Sequence, residues 1–145
     1  MTREFPETPN YSSAFSFAIE VERACADLAA AAGVLAPDDV WQAKLEELVC
    51  THDDRVAKLS DKRGTGQAHS RALDGRNYLS TLTAEPEISW PAAVRQLALA
   101  EEDAARYHEA FASAYADALG DAANLFKKTA QQERTAAQEL RAMLD

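Results

Sequence analysis

The chain has 145 residues, of which 47% are hydrophobic and 27% charged, and this composition indicates one folded domain rather than a disordered chain. The formal net charge of −9 argues against nucleic acids and anionic membranes as main partners, because both would repel the chain. No window reaches the roughly 20 apolar residues of a membrane span, and the first residues lack the apolar core of a signal peptide, so we predict a cytoplasmic protein.

Hydrophobic periodicity predicts four long helices in a single all-α domain that spans residues 1–145. Each helix is bounded by a start or stop signal, such as Gly33 after an alanine run or Pro91 in a first turn. The expected helices comprise residues 11–33, 37–62, 89–120 and 121 onward.

Two stretches outside these helices lack a hydrophobic period. Residues 1–10 contain two prolines and no apolar repeat, which predicts a loose N-terminal arm. Residues 63–88 are interrupted by glycine and proline and connect the second and third helices. Because this connection is long enough to cross the bundle, the third helix can begin at the same end as the second.

Polar residues interrupt the apolar stripe of each predicted helix near its middle. They are Glu22 in the first helix, Glu101 in the third and Glu133 in the fourth. The second helix has His52 and, at the edge of its stripe, Arg55. Because an unpaired buried charge costs several kcal/mol, we expect these five side chains to contact one another or a cation.

The two halves of the chain repeat this arrangement. Glu22 aligns with Glu101 at an offset of 79 residues, and His52 aligns with Glu133 at an offset of 81. The pattern predicts a duplicated helical hairpin, in which helices of similar length bring their central polar residues to one layer. The expected layer contains Glu22, His52, Arg55, Glu101 and Glu133.

Two helical hairpins joined by a long crossover, with a glutamate on the first and third helices, resemble the ferritin-like di-iron proteins, and the rubrerythrins in particular. Residues 101–108, EEDAARYH, are similar to the third helix of that family, and residues 125–140, LFKKTAQQERTAAQEL, are similar to its fourth. The resemblance extends from about residue 12 to residue 144. It implies a ferritin-like four-helix bundle that forms a homodimer.

The ligand pattern of that family is incomplete in this chain. The family has Glu-x-x-His on its second and fourth helices, but His52 and Arg55 occupy these positions in the second helix. In the fourth helix, Ala136 replaces the histidine. The resemblance therefore implies a divergent member that has lost the di-iron centre and has a binding or stress-associated structural role, without catalytic turnover.

The layer residues leave two interpretations open. In the first, Arg55 and a protonated His52 pair with the acids in a buried ion-pair network, and no cofactor is bound. In the second, one Fe, Mn or Zn ion is bound, and the chain handles iron or peroxide as a non-haem metal-dependent oxidoreductase. The ligands of that ion would be Glu22, His52, Glu101 and Glu133.

Three further residues receive structural interpretations. His108 lies on the stripe of Glu101 but about 10 Å further along the helix. We therefore expect it to support a ligand carboxylate by a hydrogen bond, as an aromatic residue does in the ferritin-like family, and not to bind the metal itself. Cys25 and Cys50 belong to no C-x-x-C pair and are expected to be free thiols, with Cys25 a small apolar filler.

Overall fold

The computed structural model describes residues 11–63, 82–116 and 122–144, and these residues form four long helices and no strand. We number them α1 (Tyr11–Val34), α2 (Asp39–Arg63), α3 (Trp90–Ala114) and α4 (Ala122–Ala142). The all-α prediction is confirmed, and each helix begins within two residues of its predicted start. The predicted arm, 1–10, and most of the predicted crossover, 64–81, lie outside the described residues. None of the described helices is long and apolar enough to cross a membrane.

Local signals explain where α2 and α3 begin. Asp38 precedes α2, and its Oδ1 accepts a hydrogen bond from the main-chain N of Trp41 at 2.9 Å, which satisfies one of the free donors of the first turn. Ser89 is the N-cap of α3 by its extended backbone, although its hydroxyl makes no capping hydrogen bond, and Pro91 occupies the first turn.

The end of α3 differs from the prediction. The glycine signal favoured Gly120, but the helix ends at Ala114, because Tyr115 adopts φ −118° and ψ 26° and leaves the helical conformation. Tyr115 is 1% exposed, and its ring centroid lies 5.1 Å from that of Phe111. The helix therefore ends where this aromatic side chain packs into the core. Stop signals in the sequence, such as Gly120, carry no information about such packing.

The helices are arranged as two hairpins that meet through α1 and α3. The close packing is of α1 on α2, of α3 on α4, and of α1 on α3. Several of the fully buried residues of α1 are small, namely Ala18, Cys25, Ala29 and Ala32. Small side chains let helices approach closely. Side chains from different helices can therefore reach one another at the centre of the bundle.

Aromatic side chains fill the bundle beside its polar centre. The ring centroids of Phe111 and Phe126 are 4.6 Å apart, and Phe15 lies edge-on to both rings at 5.5 Å. The hydroxyl of Tyr107 donates a hydrogen bond to the main-chain oxygen of Ala14 at 2.7 Å. Because buried aromatic pairs add to the energy of apolar burial, these contacts hold α1, α3 and α4 together next to the polar layer.

Among the described residues, three on the apolar stripes of α2 and α4 are less buried than the central residues, and they share one location. Leu48, Ala136 and Met143 are only partly buried, and all three line a groove of about 740 Å³. The groove lies between α2 and α4, which are not closely packed on each other. Among the described residues the bundle is therefore open along this side, and Ala136, the position of a predicted family histidine, lies in the opening.

Candidate metal centre

Six polar side chains meet at the centre of the bundle, and we call them the buried polar cluster. They are Glu22 from α1, His52 and Arg55 from α2, Glu101 and His108 from α3, and Glu133 from α4. Arg55 is 9% exposed and the other five are fully buried. The structure thus places all five residues of the expected layer together, and it adds His108 to them.

His52 connects two of the acids. Its Nδ1 lies 3.1 Å from Glu22 Oε1, and its Nε2 lies 2.5 Å from Glu101 Oε1. Burial alone would lower the pKa of His52, but the charges and hydrogen bonds of Glu101 and Glu22 outweigh it and raise the pKa to about 10. Without a metal, His52 is therefore an imidazolium at neutral pH and donates a hydrogen bond from each ring nitrogen.

Glu22 is the acid with the most partners. Its Oε1 accepts from His52 and from Arg55 Nη1 at 3.4 Å, and its Oε2 lies 3.0 Å from His108 Nε2. Burial acts to raise the pKa of Glu22, but the charge of His52 and the hydrogen bonds from His108 and His52 hold it well below its usual range. Glu22 is therefore ionised.

Glu133 has weaker and more distant polar partners than Glu22. Its Oε1 lies 3.4 Å from His108 Nε2 and its Oε2 lies 3.7 Å from Arg55 Nη1, and as a carboxylate it accepts no hydrogen bond from the described residues. Burial, followed by the charges of Glu22 and Glu101, raises the pKa of Glu133 well above its usual range. A protonated Glu133 can donate to Glu22, which raises the pKa further. Glu133 therefore requires a proton or a cation.

Arg55 forms the boundary between the buried polar cluster and the groove. Its Nη1 faces Glu22 and Glu133, and its Nη2 donates to Gln132 Oε1 at 3.1 Å. Arg55 and Gln132 both line the groove. The guanidinium brings a permanent positive charge to the acids and separates them from solvent. Sequence reasoning did not identify Gln132, because it is an exposed residue outside the apolar stripe of α4 and its partner Arg55 is 77 residues away in the chain.

The position of His108 could not be predicted from the spacing of residues along one helix. The rise along α3 separates it from Glu101 by about 10 Å. Its Nε2 nevertheless lies 3.0 Å from Glu22 and 3.4 Å from Glu133, because these glutamates come from α1 and α4. Its contact with a carboxylate is of the kind expected from the sequence, and its role beside a metal ligand stays a prediction.

Donor atoms of the types that bind metals converge in two overlapping groups. The first contains Cys25, His52, Glu101 and Glu133, and the second contains Glu22, His108 and Glu133. Within each group, all donor atoms lie within 4.8 Å of one another. Glu101 Oε2 and both oxygens of Glu133 have no hydrogen-bond partner among the described residues. The sequence indicated only a packing role for Cys25, but its sulfur belongs to the first group.

The donor set fits one divalent ion and does not fit the pair of irons that the ferritin-like resemblance implies. A di-iron centre of that kind needs about six protein ligands, mostly carboxylates. The cluster has three carboxylates, and Arg55 lies 3.4 and 3.7 Å from two of them. Three carboxylates and one guanidinium leave two negative charges, which either two protons or one divalent ion would neutralise.

The fold and the cluster together define an all-α four-helix bundle with a buried carboxylate and histidine centre. Comparison of the chain with known protein families, curated proteins and solved structures finds no match. The ferritin-like assignment therefore remains a prediction from residues 101–108 and 125–140.

We expect the metal-free protein to lose stability as the pH rises above about 6.5. The pKa of His52 is 6.5 when unperturbed and about 10 in the folded protein. Its contribution to folding stability is therefore complete below pH 6.5 and is lost as the pH rises towards 10. The raised pKa of Glu133 acts in the same direction, whereas the lowered pKa of Glu22 removes stability when the pH falls below 4.5. Urea unfolding of chelator-treated protein should therefore give maximum stability on the acidic side of neutrality.

The variant His52→Gln is the control for this pH dependence. It removes the titrating group but keeps a side chain that can donate and accept hydrogen bonds. Its stability should decline much less between neutral and alkaline pH. An alkaline decline as large as that of the unmodified chain would show that His52 is not the responsible group.

Proposed function

We propose that this chain is a metalloprotein that binds one divalent transition-metal ion in the buried polar cluster. The proposal is supported by three buried carboxylate oxygens, one from Glu101 and two from Glu133, that have no hydrogen-bond partner in the part of the chain that the structure describes. One oxygen of Glu101 and one of Glu133 lie within 4.8 Å of a nitrogen of His52. Buried acceptors without donors are costly, and one cation can satisfy all three oxygens. His52, Glu101 and Glu133 are the ligands that this geometry supports best.

The remaining residues of the cluster orient these ligands. Glu22 Oε1 accepts from His52 Nδ1, which leaves His52 Nε2 as the nitrogen that faces Glu101. A carboxylate behind a histidine in this way fixes the tautomer and raises the basicity of the ligand nitrogen. An ion would replace the proton that His52 and Glu101 share. Glu22, one of the four ligands expected from the sequence, is therefore assigned the orienting role.

The chemistry of the site would depend on the ion. A bound Fe or Mn ion would supply redox chemistry towards peroxide or iron, as in a non-haem oxidoreductase, whereas Zn would act as a Lewis acid or a structural ion. The protein itself would exclude water from the ligands, because they are buried, and would hold Arg55 between the ligands and the groove.

Metal analysis tests the proposal. Protein purified without chelator from cells supplied with Fe, Mn and Zn should contain about one ion per chain, because two negative charges remain in the cluster. The variant Glu101→Ala should lose this ion. The matched control is Glu102→Ala, because Glu102 is the next residue and pairs with Arg141 at the surface. Unmodified protein without bound metal would contradict the proposal, and two ions per chain would contradict its stoichiometry.

Arg55 supports a second candidate function, a divergent ferritin-like bundle that binds no metal and has a binding or stress-associated structural role. Its guanidinium faces Glu22 and Glu133, and two protons on the cluster would complete the charge balance without an ion. In this candidate no cofactor is bound and no turnover is expected. Metal-free protein from metal-supplied cells, with a large loss of stability in Arg55→Ala, would favour it.

Three further expectations apply to either candidate. The ferritin-like resemblance of residues 101–108 and 125–140 implies a homodimer, the lack of a signal-peptide or membrane-span pattern in the sequence favours the cytoplasm, and the net charge of −9 argues against nucleic acid as a partner. Sedimentation equilibrium at several protein concentrations distinguishes a dimer from a monomer.

A further inference from the structure

We propose that Cys25 is the fourth ligand of the ion, which makes the site a thiolate-containing centre for zinc or a zinc-like ion. This inference rests on the proposed function, because it assigns a ligand and a metal class to the same site. It goes beyond the ligands expected from the sequence, which were carboxylates and one histidine only.

The position of Cys25 supports this assignment. It follows Glu22 by three residues on α1, so both side chains lie on the face that points to the centre of the bundle. Its sulfur, a nitrogen of His52 and oxygens of Glu101 and Glu133 all lie within 4.8 Å of one another. Four donors from four different helices therefore surround one point, as a four-coordinate site requires.

Unpartnered oxygens provide the second observation. Glu133 is fully buried and as a carboxylate has no hydrogen-bond partner among the described residues, and Glu101 Oε2 has none either. The hydrogen bond that the structure gives the thiol of Cys25 is long: Sγ donates to the main-chain oxygen of Ala100 at 3.8 Å. None of these groups makes a strong hydrogen bond to the described residues, so each can offer a lone pair to a cation once it has lost any proton it carries.

Glu22 is less suited to the fourth position than Cys25. Both of its oxygens already accept hydrogen bonds, one from His52 and Arg55 and the other from His108. Binding an ion directly would require Glu22 to give up at least one of these partners. Cys25 would give up only the weak contact with Ala100.

The donor atoms indicate the class of metal. One sulfur, one nitrogen and two carboxylates form a mixed set, and a soft thiolate favours Zn²⁺ and Co²⁺ over Mn²⁺ and Mg²⁺. Binding requires that the S–H bond of Cys25 break and a metal–sulfur bond form, and that His52 and Glu133 give up the protons they hold without metal. All three protons leave to the solvent, and the ion together with Arg55 offsets three of the four negative charges of Cys25, Glu22, Glu101 and Glu133. No oxidation state changes in this step.

The duplicated half of the chain indicates that Cys25 is not required for packing. At the offset of 79 residues that aligns Glu22 with Glu101, Cys25 aligns with Ala104. Both positions are fully buried on the inner face of their helices. An alanine therefore suits this environment, and Cys25→Ala is expected to fold.

Cobalt is the probe for the test, because a thiolate bound to Co²⁺ gives a sulfur-to-metal charge-transfer band in the near ultraviolet. Chelator-treated protein titrated with Co²⁺ should develop this band, and so should the control Cys50→Ser, which removes an exposed thiol. In Cys25→Ser the band should be absent, and the affinity for Co²⁺ should fall by about 100-fold or more, since loss of a mere supporting residue already costs about 10–100-fold.

The outcomes separate this inference from the proposed function. Two results would overturn the inference without contradicting the metal site. In one, the unmodified chain binds Co²⁺ but shows no band; in the other, Cys25→Ser binds Co²⁺ and keeps the band. Absence of Co²⁺ binding would overturn both. Should Cys25→Ser not fold, as judged by circular dichroism, Cys25→Ala gives the same reading. In that variant the preference for Zn²⁺ over Mn²⁺ should also shrink, which loss of packing alone would not cause.

Discussion

Replacement of Arg55 by alanine is expected to destabilise the metal-free protein by about 3–5 kcal/mol, because removing one partner of a buried ion pair leaves the other charge unpaired. The ionised carboxylate of Glu22 would lose the cation that lies 3.4 Å from it, and Glu133 would lose the positive charge 3.7 Å away that opposes the rise of its pKa. The same change should tighten binding of a divalent ion by about 10-fold, since a positive charge close to the ion is removed. Urea unfolding and metal titration measure the two effects.

The control for this variant is Lys58→Ala. Lys58 is exposed and lies three residues after Arg55 on α2, so its replacement removes a cation from the same helix without touching the acids. It should change stability by less than about 0.5 kcal/mol. If Arg55→Ala were neutral in metal-free protein, the role of Arg55 as the partner of the buried acids would be wrong.

The variant Glu133→Gln is expected to have opposite effects on metal binding and on metal-free stability. Glutamine has nearly the same shape, carries no charge and has an NH2 group that can donate to Glu22. The metal-free protein should therefore gain about 1–3 kcal/mol, because position 133 no longer has to take up a proton on folding. The gain should disappear at acidic pH, where Glu133 is protonated in the unfolded chain as well. Metal binding should be lost, because Glu133 is the acid common to both groups of donor atoms.

A surface glutamate of the same helix provides the comparison. Glu139→Gln changes an exposed acid of α4 that lines the groove and should leave both metal content and stability unchanged. Retention of the ion in Glu133→Gln would show that Glu133 is not a ligand. A loss of metal-free stability in that variant would instead show that the fold depends on the negative charge.

Helix starts and the central polar residues are the features that could be predicted from the sequence. Signals such as Asp38 before α2 and Ser89 before α3 act over one helical turn, so neighbouring residues are enough to find them. Glu22, Glu101 and Glu133 stand out because a carboxylate in an apolar stripe of period 3.6 must point inward. The periodicity therefore located these acids without knowledge of their neighbours.

The roles of individual side chains at the centre could not be predicted in this way. His108 lies too far from Glu101 along α3, yet it contacts acids from two other helices. Cys25 is a small side chain on a buried apolar stripe, which indicates packing, yet its sulfur lies among potential metal ligands. Distances between side chains of different helices depend on the separation, tilt and rotation of the helices, and no period within one helix reports these quantities.

The sequence by itself determined four amphipathic helices, their starting points and a layer of buried charge, because each of these follows from residues close together in the chain. Only the tertiary structure decided that α3 ends at Ala114, that α2 and α4 leave a groove, and that Arg55 closes the cluster against it. These features arise from packing between residues distant in the chain, where side-chain volume and the spacing of the helices determine which groups meet.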